Sequence, residues 1–442
     1  MPKKILVLLV LFTVSLCAYT QAYSSQSSVD WTQYSFTSRV KLNIKEAGII
    51  IPSGRGAAVE RMNMQIPNLI KDPLLSLSVD SSNKLGDMVL RDYITLEQLT
   101  LLSDNGKKSP AVYVNNGRDL QMNHAVSLTD IASLMIKHNV PYTPPLPIER
   151  VSSRSYTGIL IDARGMLPVQ GEFVQDKMYP CLFPKIWDES MELLYEKNMT
   201  ESSIAQKNGI VQYSSSIDES LFSDRIGTDP LRISVRKVFG VYRTDPVISR
   251  NDALKILSVP ANLELLRQGK IVILLDNDVL VHDVSAPEKT ASYYVTFREI
   301  QNFYYENKIP DMITDSYKGI QITAHINFIA DSPLILPEEA EHIDAIAELL
   351  LKHAQTNEYT IQIEGHTASV GKPSGEMNLS IERAKEIISQ LTERGLNENL
   401  FSYKGFGGTV PLGDNATEEG RAMNRRVEII VTPKATYIQR AD

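Results

Sequence analysis

The residues best suited to binding chemistry stand near the C-terminus, where Arg383 follows Ser380 on a helical pattern. Ser380 is a good helix N-cap, and Gly395 is a helix stop signal. Between them apolar side chains recur at helical spacing: Ile381, Ala384, Ile387, Ile388 and Leu391. A helix N-terminus offers unpaired N–H groups and a positive dipole end, and the Arg383 guanidinium adds a bidentate cation. These features predict that the start of this helix binds a carboxylate.

Strands and one further helix are predicted around this site. The segment 361–364 alternates apolar with polar side chains, and so does the segment 426–431. The segment 365–375 is rich in Gly, Ser, Thr and Pro, which is typical of a loop. Upstream, we expect a strand over 321–328 and then a helix with Pro337 in its first turn. The predicted order of elements is β-α-β-α-β.

Three motifs occur here in the order of a known family: Gly365–Ala368, Leu379–Ala384 and Asn424–Ile429. They resemble the G-H-T-D, L-S-x-x-R-A and N-R-R-V-E-I motifs of OmpA-like peptidoglycan-binding domains, over about residues 320–433. The resemblance implies non-covalent binding of a peptidoglycan stem peptide. In the family, the Asp pairs with the ammonium of a diaminopimelate and the Arg, here Arg383, with its carboxylate. The implied site is Thr367, Ala368, Glu376, Leu379, Ser380, Arg383, Asn424 and Arg426.

The sequence departs from the family pattern at two of these positions. Ala368 stands where the family has Asp, and Glu376 stands where Asn is expected before Leu-Ser. The carboxylate-binding Arg383 is kept, so the change affects recognition of the ammonium. Four readings stay open: Glu376 supplies the missing charge, the ligand carries a different diamino acid such as ornithine, the usual head group binds with help from the backbone, or the domain no longer binds the wall.

The composition is that of an ordinary globular protein. The chain has 442 residues, of which 22% are charged and 43% hydrophobic. This length is sufficient for two or three domains. The net charge of −8 argues against a nucleic-acid partner, since the phosphate backbone requires a basic surface.

No catalytic or metal-binding constellation appears in the sequence. The seven histidines form neither H-x-x-x-H nor H-E-x-x-H, and no G-x-S-x-G is convincing. If Cys17 is removed with a signal segment, Cys181 is the only cysteine, which leaves no disulfide and no cysteine-based zinc site. We expect no enzyme activity, no catalytic residue, no metal site and no cofactor. His366 is expected to pack or hydrogen-bond within its loop.

The N-terminus is typical of an exported protein. Residues 1–22 combine Lys3 and Lys4 with an apolar run that is short for a membrane span. Cleavage is expected after Ala22, and an uncleaved anchor is the alternative. Lipidation at Cys17 is a further, less favoured reading, because Leu16 fits poorly before a lipidated cysteine. We therefore expect a periplasmic or outer-membrane-associated protein.

Composition shifts divide the rest of the chain, with four prolines between 141 and 147 as the main boundary. We expect a helix over 57–65 ended by Pro67, a strand over 87–90 and a helix capped by Thr129. The apolar run within 270–276 predicts a strand buried on both faces. The expected parts are a signal peptide 1–22, an N-terminal α/β lobe 23–140, a Pro-rich linker 141–150, a second α/β lobe 151–280, a connector 281–319, an OmpA-like domain 320–434 and a tail 435–442, in an α/β (α+β) fold with mixed sheets.

Three further motifs lie within residues 154–276: Tyr156–Gly165, Arg225–Leu231 and Val247–Ala253. Through them this region resembles, more weakly, a segment of bacterial envelope lipoproteins, some of them tied to motility. The combined reading is an envelope protein anchored to peptidoglycan by its C-terminal domain. Residues 23–280 would then contact outer-membrane, flagellar or other envelope proteins. The alternative is a scaffold whose OmpA-like domain serves protein interaction and does not bind the wall.

Overall fold

The computed structural model describes residues 22–354 and 358–434. Helices are mixed with strands that form several separate sheets, which confirms the expected α/β (α+β) class. The predicted signal segment, apart from its last residue Ala22, and the tail 435–442 lie outside the described residues. Within the described ranges, no helix combines the length and the apolar character that crossing a bilayer requires.

The first lobe is a sheet covered by helices. Its strands are β1 (Tyr23–Asp30), β2 (Ser35–Asn43), β3 (Lys107–Lys108), β4 (Val112–Val114) and β5 (Asp119–Ser127). Its helices are α1 (Arg55–Leu75), α2 (Leu85–Leu90), α3 (Leu96–Asp104) and α4 (Leu128–Ser133). The order β1-β2-β5-β3, with β4 also on β5, is antiparallel throughout. Alternate side chains of β2, including Phe36, Val40 and Leu42, are buried, as expected for a sheet with one covered face.

The predicted strand over 87–90 is wrong, because this segment belongs to helix α2. The carboxylate of Asp87 accepts the backbone N–H of Lys84 at 2.8 Å and so stabilises the first turn of a helix. The cap of α4 is also displaced, since Ser127 and not Thr129 accepts the N–H of Asp130 at 3.3 Å.

The helix expected to end before Pro67 continues through it, and α1 ends only at Leu75. The side chains of Ile66, Ile70 and Leu74 lie on one face at helical spacing and are buried in the core of the lobe. Burial of this face outweighs the hydrogen bonds that the prolines remove.

The second lobe contains two four-stranded sheets and a small hairpin. Its strands are β6 (Ile159–Asp162), β7 (Leu167–Pro168), β8 (Gln175–Asp176), β9 (Ile186–Asp188), β10 (Leu193–Tyr195), β11 (Gln212–Ser214), β12 (Leu231–Ser234), β13 (Lys237–Phe239), β14 (Asp245–Ile248) and β15 (Ile271–Leu274). Its helices are α5 (Ser202–Asn208), α6 (Ser223–Ile226), α7 (Arg250–Leu257), α8 (Pro260–Arg267) and α9 (Asn277–Leu280). The parallel sheet has the order β11-β15-β6-β12. The predicted strand within 270–276 is confirmed as β15, and all of its side chains are buried.

The C-terminal domain is a five-stranded sheet packed against helices. Its elements are α10 (Ala291–Asn307), β17 (Met312–Ser316), β18 (Gly319–Ala324), α11 (Ala340–His353), β19 (Tyr359–Gly365), α12 (Pro373–Glu393), β20 (Phe401–Gly405), α13 (Glu418–Asn424) and β21 (Val427–Pro433). The strand that precedes them, β16 (Val281–Val284), belongs to the sheet of the first lobe. The sheet order is β17-β18-β21-β19-β20. Gly365, at the end of β19, lies so close to α12 that a Cβ there would stand 2.1 Å from the carbonyl oxygen of Ser380. This close contact sets the position of α12 on the sheet.

The segment 281–319, expected as a connector, contributes to two sheets. Strand β16 pairs with β1 at the edge of the first lobe, and β17 pairs with β18 at the edge of the C-terminal sheet. Between them, α10 places Tyr293, Ile300 and Tyr304 in the core of the C-terminal domain. The aromatic side chains of this segment therefore divide between core packing and exposed positions such as Tyr305.

The lobes and the C-terminal domain touch through polar and apolar contacts. The hydroxyl of Tyr317 donates to Asp87 of the first lobe at 3.1 Å. Met377, on α12, packs with Phe239 and Val247 of the second lobe. The C-terminal domain is therefore held at a defined place on both lobes.

Candidate functional site

A cavity of about 700 Å³ opens at the N-terminal half of α12. Its walls come from the loop after β18, the loop after β19, α12 and the residue after α13. They are Asn327, Phe328, Ala330, Asp331, Leu336, Thr367, Ala368, Val370, Lys372, Gly375, Glu376, Leu379, Arg383 and Arg425. Five residues of the predicted site are among them, and the cavity is large enough for a small peptide head group.

Arg383 is the central charge of this cavity. Its side chain is only 6% exposed, and its Nε donates to the carbonyl of Ser332 at 3.2 Å. The guanidinium lies over the ring of Phe328, 4.6 Å from its centroid. Burial, together with the charge of Arg425, lowers the pKa of this guanidinium from its ordinary value. In the described part of the chain, no carboxylate lies within ion-pair distance of it, so it is a buried cation open to an anionic ligand.

The helix around Arg383 begins earlier than the sequence prediction places it. Helix α12 starts at Pro373, and Ser380 lies inside it, fully buried. Its hydroxyl donates to the carbonyl of Met377 at 2.7 Å and accepts the N–H of Gly407 at 2.9 Å. The prediction of a carboxylate site at a helix N-terminus on Ser380 is therefore wrong, and the cation alone carries the anion-binding argument. Proline in the first turn was the sequence signal for the true start.

Glu376 lines the cavity, yet its carboxylate serves the surrounding backbone. Its Oε1 accepts the N–H groups of Val370 at 2.6 Å and Lys372 at 3.0 Å. Its Oε2 lies beside Gly408, where an added Cβ would stand 2.8 Å from it. The side chain thus holds the loop after β19 against α12.

Thr367 and Ala368 form the wall opposite the helix. The N–H of Thr367 donates to the carbonyl of Gly407 at 2.9 Å, which fixes the loop, while its buried Oγ1 has no hydrogen-bond partner among the described residues. Ala368 is 7% exposed and presents only a methyl group. Leu379 adds apolar surface beside them.

Asn424 and Arg426, also predicted for the site, do not line the cavity. The Oδ1 of Asn424 accepts the N–H groups of Leu412 at 2.7 Å and Gly413 at 2.8 Å. Arg426 is 1% exposed and pairs with Glu428 at 2.7 Å. These residues stabilise the fold beneath the site.

The sequence prediction missed nine of the fourteen cavity residues, and four of those nine are aromatic or charged: Phe328, Asp331, Lys372 and Arg425. The turn-forming Asp331-Ser332-Pro333 after a predicted strand was the one local signal for a loop there. The contact between this loop and Arg383 joins residues 51 positions apart, which no local pattern reveals.

A second cluster lies buried beneath the loop: Glu364, His366 and Glu428. Their candidate ligand atoms lie within 4.8 Å of one another, a spacing that a metal ion could use. Both carboxylates already have cations, because Lys318 Nζ is 3.0 Å from Glu364 and Arg426 is 2.7 Å from Glu428. This pairing balances the buried charges, so we interpret the cluster as structural.

His366 stacks on Phe406, with ring centroids 4.9 Å apart, and its nitrogens have no hydrogen-bond partner within the described residues. The prediction that it packs within its loop agrees with this contact. Burial first, and then the charges of Arg426 and Lys318, hold the pKa of His366 well below its ordinary value.

Stability should therefore fall in acid through His366. Below about pH 6.5 the unfolded chain takes up a proton that the folded chain excludes, so the free energy of unfolding should drop by up to about 1.4 kcal/mol per pH unit. His366→Phe keeps a ring on Phe406 and removes this titration. Urea unfolding at about pH 7 and about pH 5 should show a smaller loss for His366→Phe than for the wild type. The exposed His325→Phe is the control, and equal losses in all three proteins would contradict the assignment.

Three family models match the chain. They are described as the Treponema pallidum Tp0624 N-terminal domain at residues 22–134, the Treponema pallidum Tp0624 second domain at residues 158–277 and the OmpA family at residues 327–425. The last match confirms the predicted OmpA-like region. The chain therefore carries an OmpA-family domain, which lies C-terminal to two domains that are similar to those of Tp0624.

Curated relatives match about a quarter of the chain. Outer membrane porin F of Pseudomonas fluorescens is 30% identical over 116 residues, which cover 26% of this chain and 35% of the porin. The probable lipoprotein YiaD of Escherichia coli is 31% identical over 109 residues, 25% of this chain and 48% of YiaD. The peptidoglycan-binding protein ArfA of Mycobacterium tuberculosis is 34% identical over 106 residues, 24% of this chain and 32% of ArfA. The chain thus spans less than half of the length of each of these relatives.

Solved structures with similar segments include envelope proteins. An outer membrane protein from Borrelia burgdorferi B31 is 32% identical and covers 28% of this chain and 96% of its own, with a TM-score of 0.23. The cell wall anchor of the T6SS from Pseudomonas aeruginosa is 26% identical, and the match covers 30% of this chain and 97% of the anchor, with a TM-score of 0.26. The periplasmic domain of Helicobacter pylori MotB is 24% identical, and the match covers 28% of this chain and 83% of the MotB chain, with a TM-score of 0.26. Likenesses at these TM-scores carry no argument about function.

Proposed function

We propose that this chain is a cell-envelope protein whose OmpA-family domain binds peptidoglycan non-covalently. The observation that carries the proposal is Arg383, a buried guanidinium without a carboxylate partner among the described residues, on the wall of a cavity of about 700 Å³. A free carboxylate of a stem peptide would satisfy this cation. A relative named as a peptidoglycan-binding protein supports this class of ligand.

The other cavity groups suit the same ligand. The unpartnered hydroxyl of Thr367 can donate to a carboxylate oxygen, while Lys372 and Arg425 make the surrounding field positive. Ala368 and Leu379 provide an apolar surface for the ligand's carbon chain. The hydroxyl of Thr367 has no base as a hydrogen-bond partner among the described residues, and we propose binding without catalysis.

The first and second lobes would face the partners of the anchored protein. We propose an exported location at the periplasm or outer membrane, in keeping with relatives named as outer membrane proteins or lipoproteins. Envelope proteins are the proposed partners of residues 23–280.

Arg383→Ala should weaken binding to isolated peptidoglycan by about ten- to a hundred-fold, because hydrogen bonds to a charged group contribute about 1.5–3 kcal/mol. The measurement is co-sedimentation of the chain with purified sacculi over a range of protein concentrations. Lys385→Ala is the matched control, since Lys385 is an exposed cation on the same helix that pairs with Glu382 and lies outside the cavity.

Equal binding of wild type and Arg383→Ala would overturn the assignment of the cation. Absence of wall binding by the wild type would favour the alternative, a scaffold that uses the domain for protein interaction.

A further inference from the structure

Asp331 is a carboxylate of the cavity wall that no described residue engages. It lies in an exposed turn and lines the cavity with Arg383. Neither a hydrogen bond nor an ion pair joins it to the rest of the described chain, although its charge acts on the guanidinium of Arg383. A negative group is therefore available at a site otherwise dominated by cations.

The other acid of the cavity is not available in the same way. Glu376 is 8% exposed, and its Oε1 is occupied by the N–H groups of Val370 and Lys372. Its Oε2 is directed to Gly408. Turning this carboxylate to a ligand would leave two amides of the cavity loop without their acceptor.

The position of Asp331 is set by a tight turn. Ile329 donates its N–H to the carbonyl of Leu334 at 2.8 Å, and Ser332 donates to the carbonyl of Ile329 at 3.1 Å. Asp331 takes a left-handed conformation, with φ of 51°, which Asp tolerates better than most residues. The carbonyl of Ser332 in turn accepts from Arg383, so the turn and the guanidinium are connected directly.

We propose that Asp331 supplies the negative charge that Ala368 lacks, and so binds the ammonium of the diamino acid whose carboxylate binds Arg383. The inference rests on the proposed function. The carboxylate of the ligand would bind Arg383, and the ammonium on the same carbon would face Asp331. Ala368 would contact the ligand only through its methyl group.

The test compares three stem peptides by calorimetric titration of the full chain. The first carries diaminopimelate with a free side-chain amine, the second carries it with that amine acetylated, and the third carries ornithine, which has an amine but lacks the second carboxylate. The wild type should bind the first peptide about ten-fold more tightly than the second, as a charge-assisted contact requires.

Asp331→Asn should remove this preference. Its affinity for the free-amine peptide should fall about ten-fold, to that of the acetylated peptide, whose own affinity should not change. The ornithine peptide should depend on Asp331 and not on Arg383. Asp344→Asn, an exposed acid outside the cavity that pairs with Arg394, is the matched control and should leave all three affinities unchanged.

The outcomes separate this inference from the proposed function. Equal affinity of the wild type for free and acetylated peptides, with loss of both in Arg383→Ala, would overturn the role of Asp331 and leave the carboxylate site intact. Failure of the wild type to bind any of the peptides would overturn both. A preference for the free amine that persists unchanged in Asp331→Asn would assign the ammonium to another carboxylate and would likewise overturn the role of Asp331.

Discussion

Replacing Lys318 by Met should lower the free energy of unfolding of the full chain by about 3–5 kcal/mol. Lys318 Nζ lies 3.0 Å from Glu364, whose side chain is 1% exposed. Burial alone lowers the pKa of Lys318, but the charges of Glu364 and Asp87 oppose this effect, and the pKa lies above the ordinary value. Without Lys318, the carboxylate is left buried without its closest cation. Urea unfolding at neutral pH measures the loss.

The loss of unfolding free energy caused by Lys318→Met should become smaller as the pH falls. Burial raises the pKa of Glu364, while the charge of Lys318 lowers it. The pKa of Glu364 should therefore rise further when Lys318 is replaced. The variant can then relieve its buried charge by taking up a proton, so the difference from wild type should narrow as the pH falls. The double variant Lys318→Met, Glu364→Gln should recover part of the stability for the same reason. Lys352→Met, an exposed lysine of α11, is the control, and an equal loss there would contradict this account.

Gly365→Ala should destabilise the domain by about 3 kcal/mol or more, at the upper end of overpacking effects. The added Cβ would stand 2.1 Å from the carbonyl oxygen of Ser380 and 3.0 Å from its carbonyl carbon. Both are backbone atoms of α12, so no side-chain rotation relieves the contact and the helix must move. Because Arg383 lies on this helix, the surviving folded protein should also bind sacculi less well.

Gly375→Ala is the matched control on the same helix. Its Cβ would meet only Lys372 Cβ, at 4.0 Å, so this substitution should be neutral or stabilising by up to about 1 kcal/mol. Thermal unfolding of the three proteins gives the comparison. If the thermal unfolding midpoint of Gly365→Ala equals that of the wild type, the helix shifts freely at this contact and the prediction is wrong.

The regular elements of the C-terminal domain were predictable from periodicity. Alternation over 361–364 and 426–431 indicated β19 and β21, which the structure shows as neighbouring strands of one sheet. A continuous apolar run indicated β15 in the same way. These signals are local, and each lies within one element.

The start of α12 was not placed correctly, because Ser380 has the chemistry of a cap and also fits a buried helical position. Its hydroxyl donates to the carbonyl of Met377 in the same helix. The side chain therefore forms its hydrogen bond inside the helix and does not cap the helix start. Helix α12 begins at Pro373 without a side-chain cap, so the capping chemistry of Ser380 indicated a false start and the proline indicated the true one.

The site was partly predictable for a related reason. The motif identified Arg383, Thr367 and the Ala368 substitution, since these lie within short conserved spacings of a known pattern. Asp331 was not identified, because its place beside Arg383 depends on a contact between the loop after β18 and helix α12. The contact of Tyr317 with Asp87 was equally hidden, since 230 positions separate the two residues.

The pairing of β16 with β1 also sets an order of events during synthesis. Gln26 and Asp283, which hydrogen-bond across this edge, are 257 positions apart. Chains are synthesised from the N-terminus, so β1 is complete long before β16, the strand that pairs with it at this edge, leaves the ribosome. Until then the nascent first lobe displays an unpaired strand edge, the kind of surface that recruits other strands. The edge is closed only after the whole second lobe has been translated, which gives a chaperone a defined interval in which to shield it.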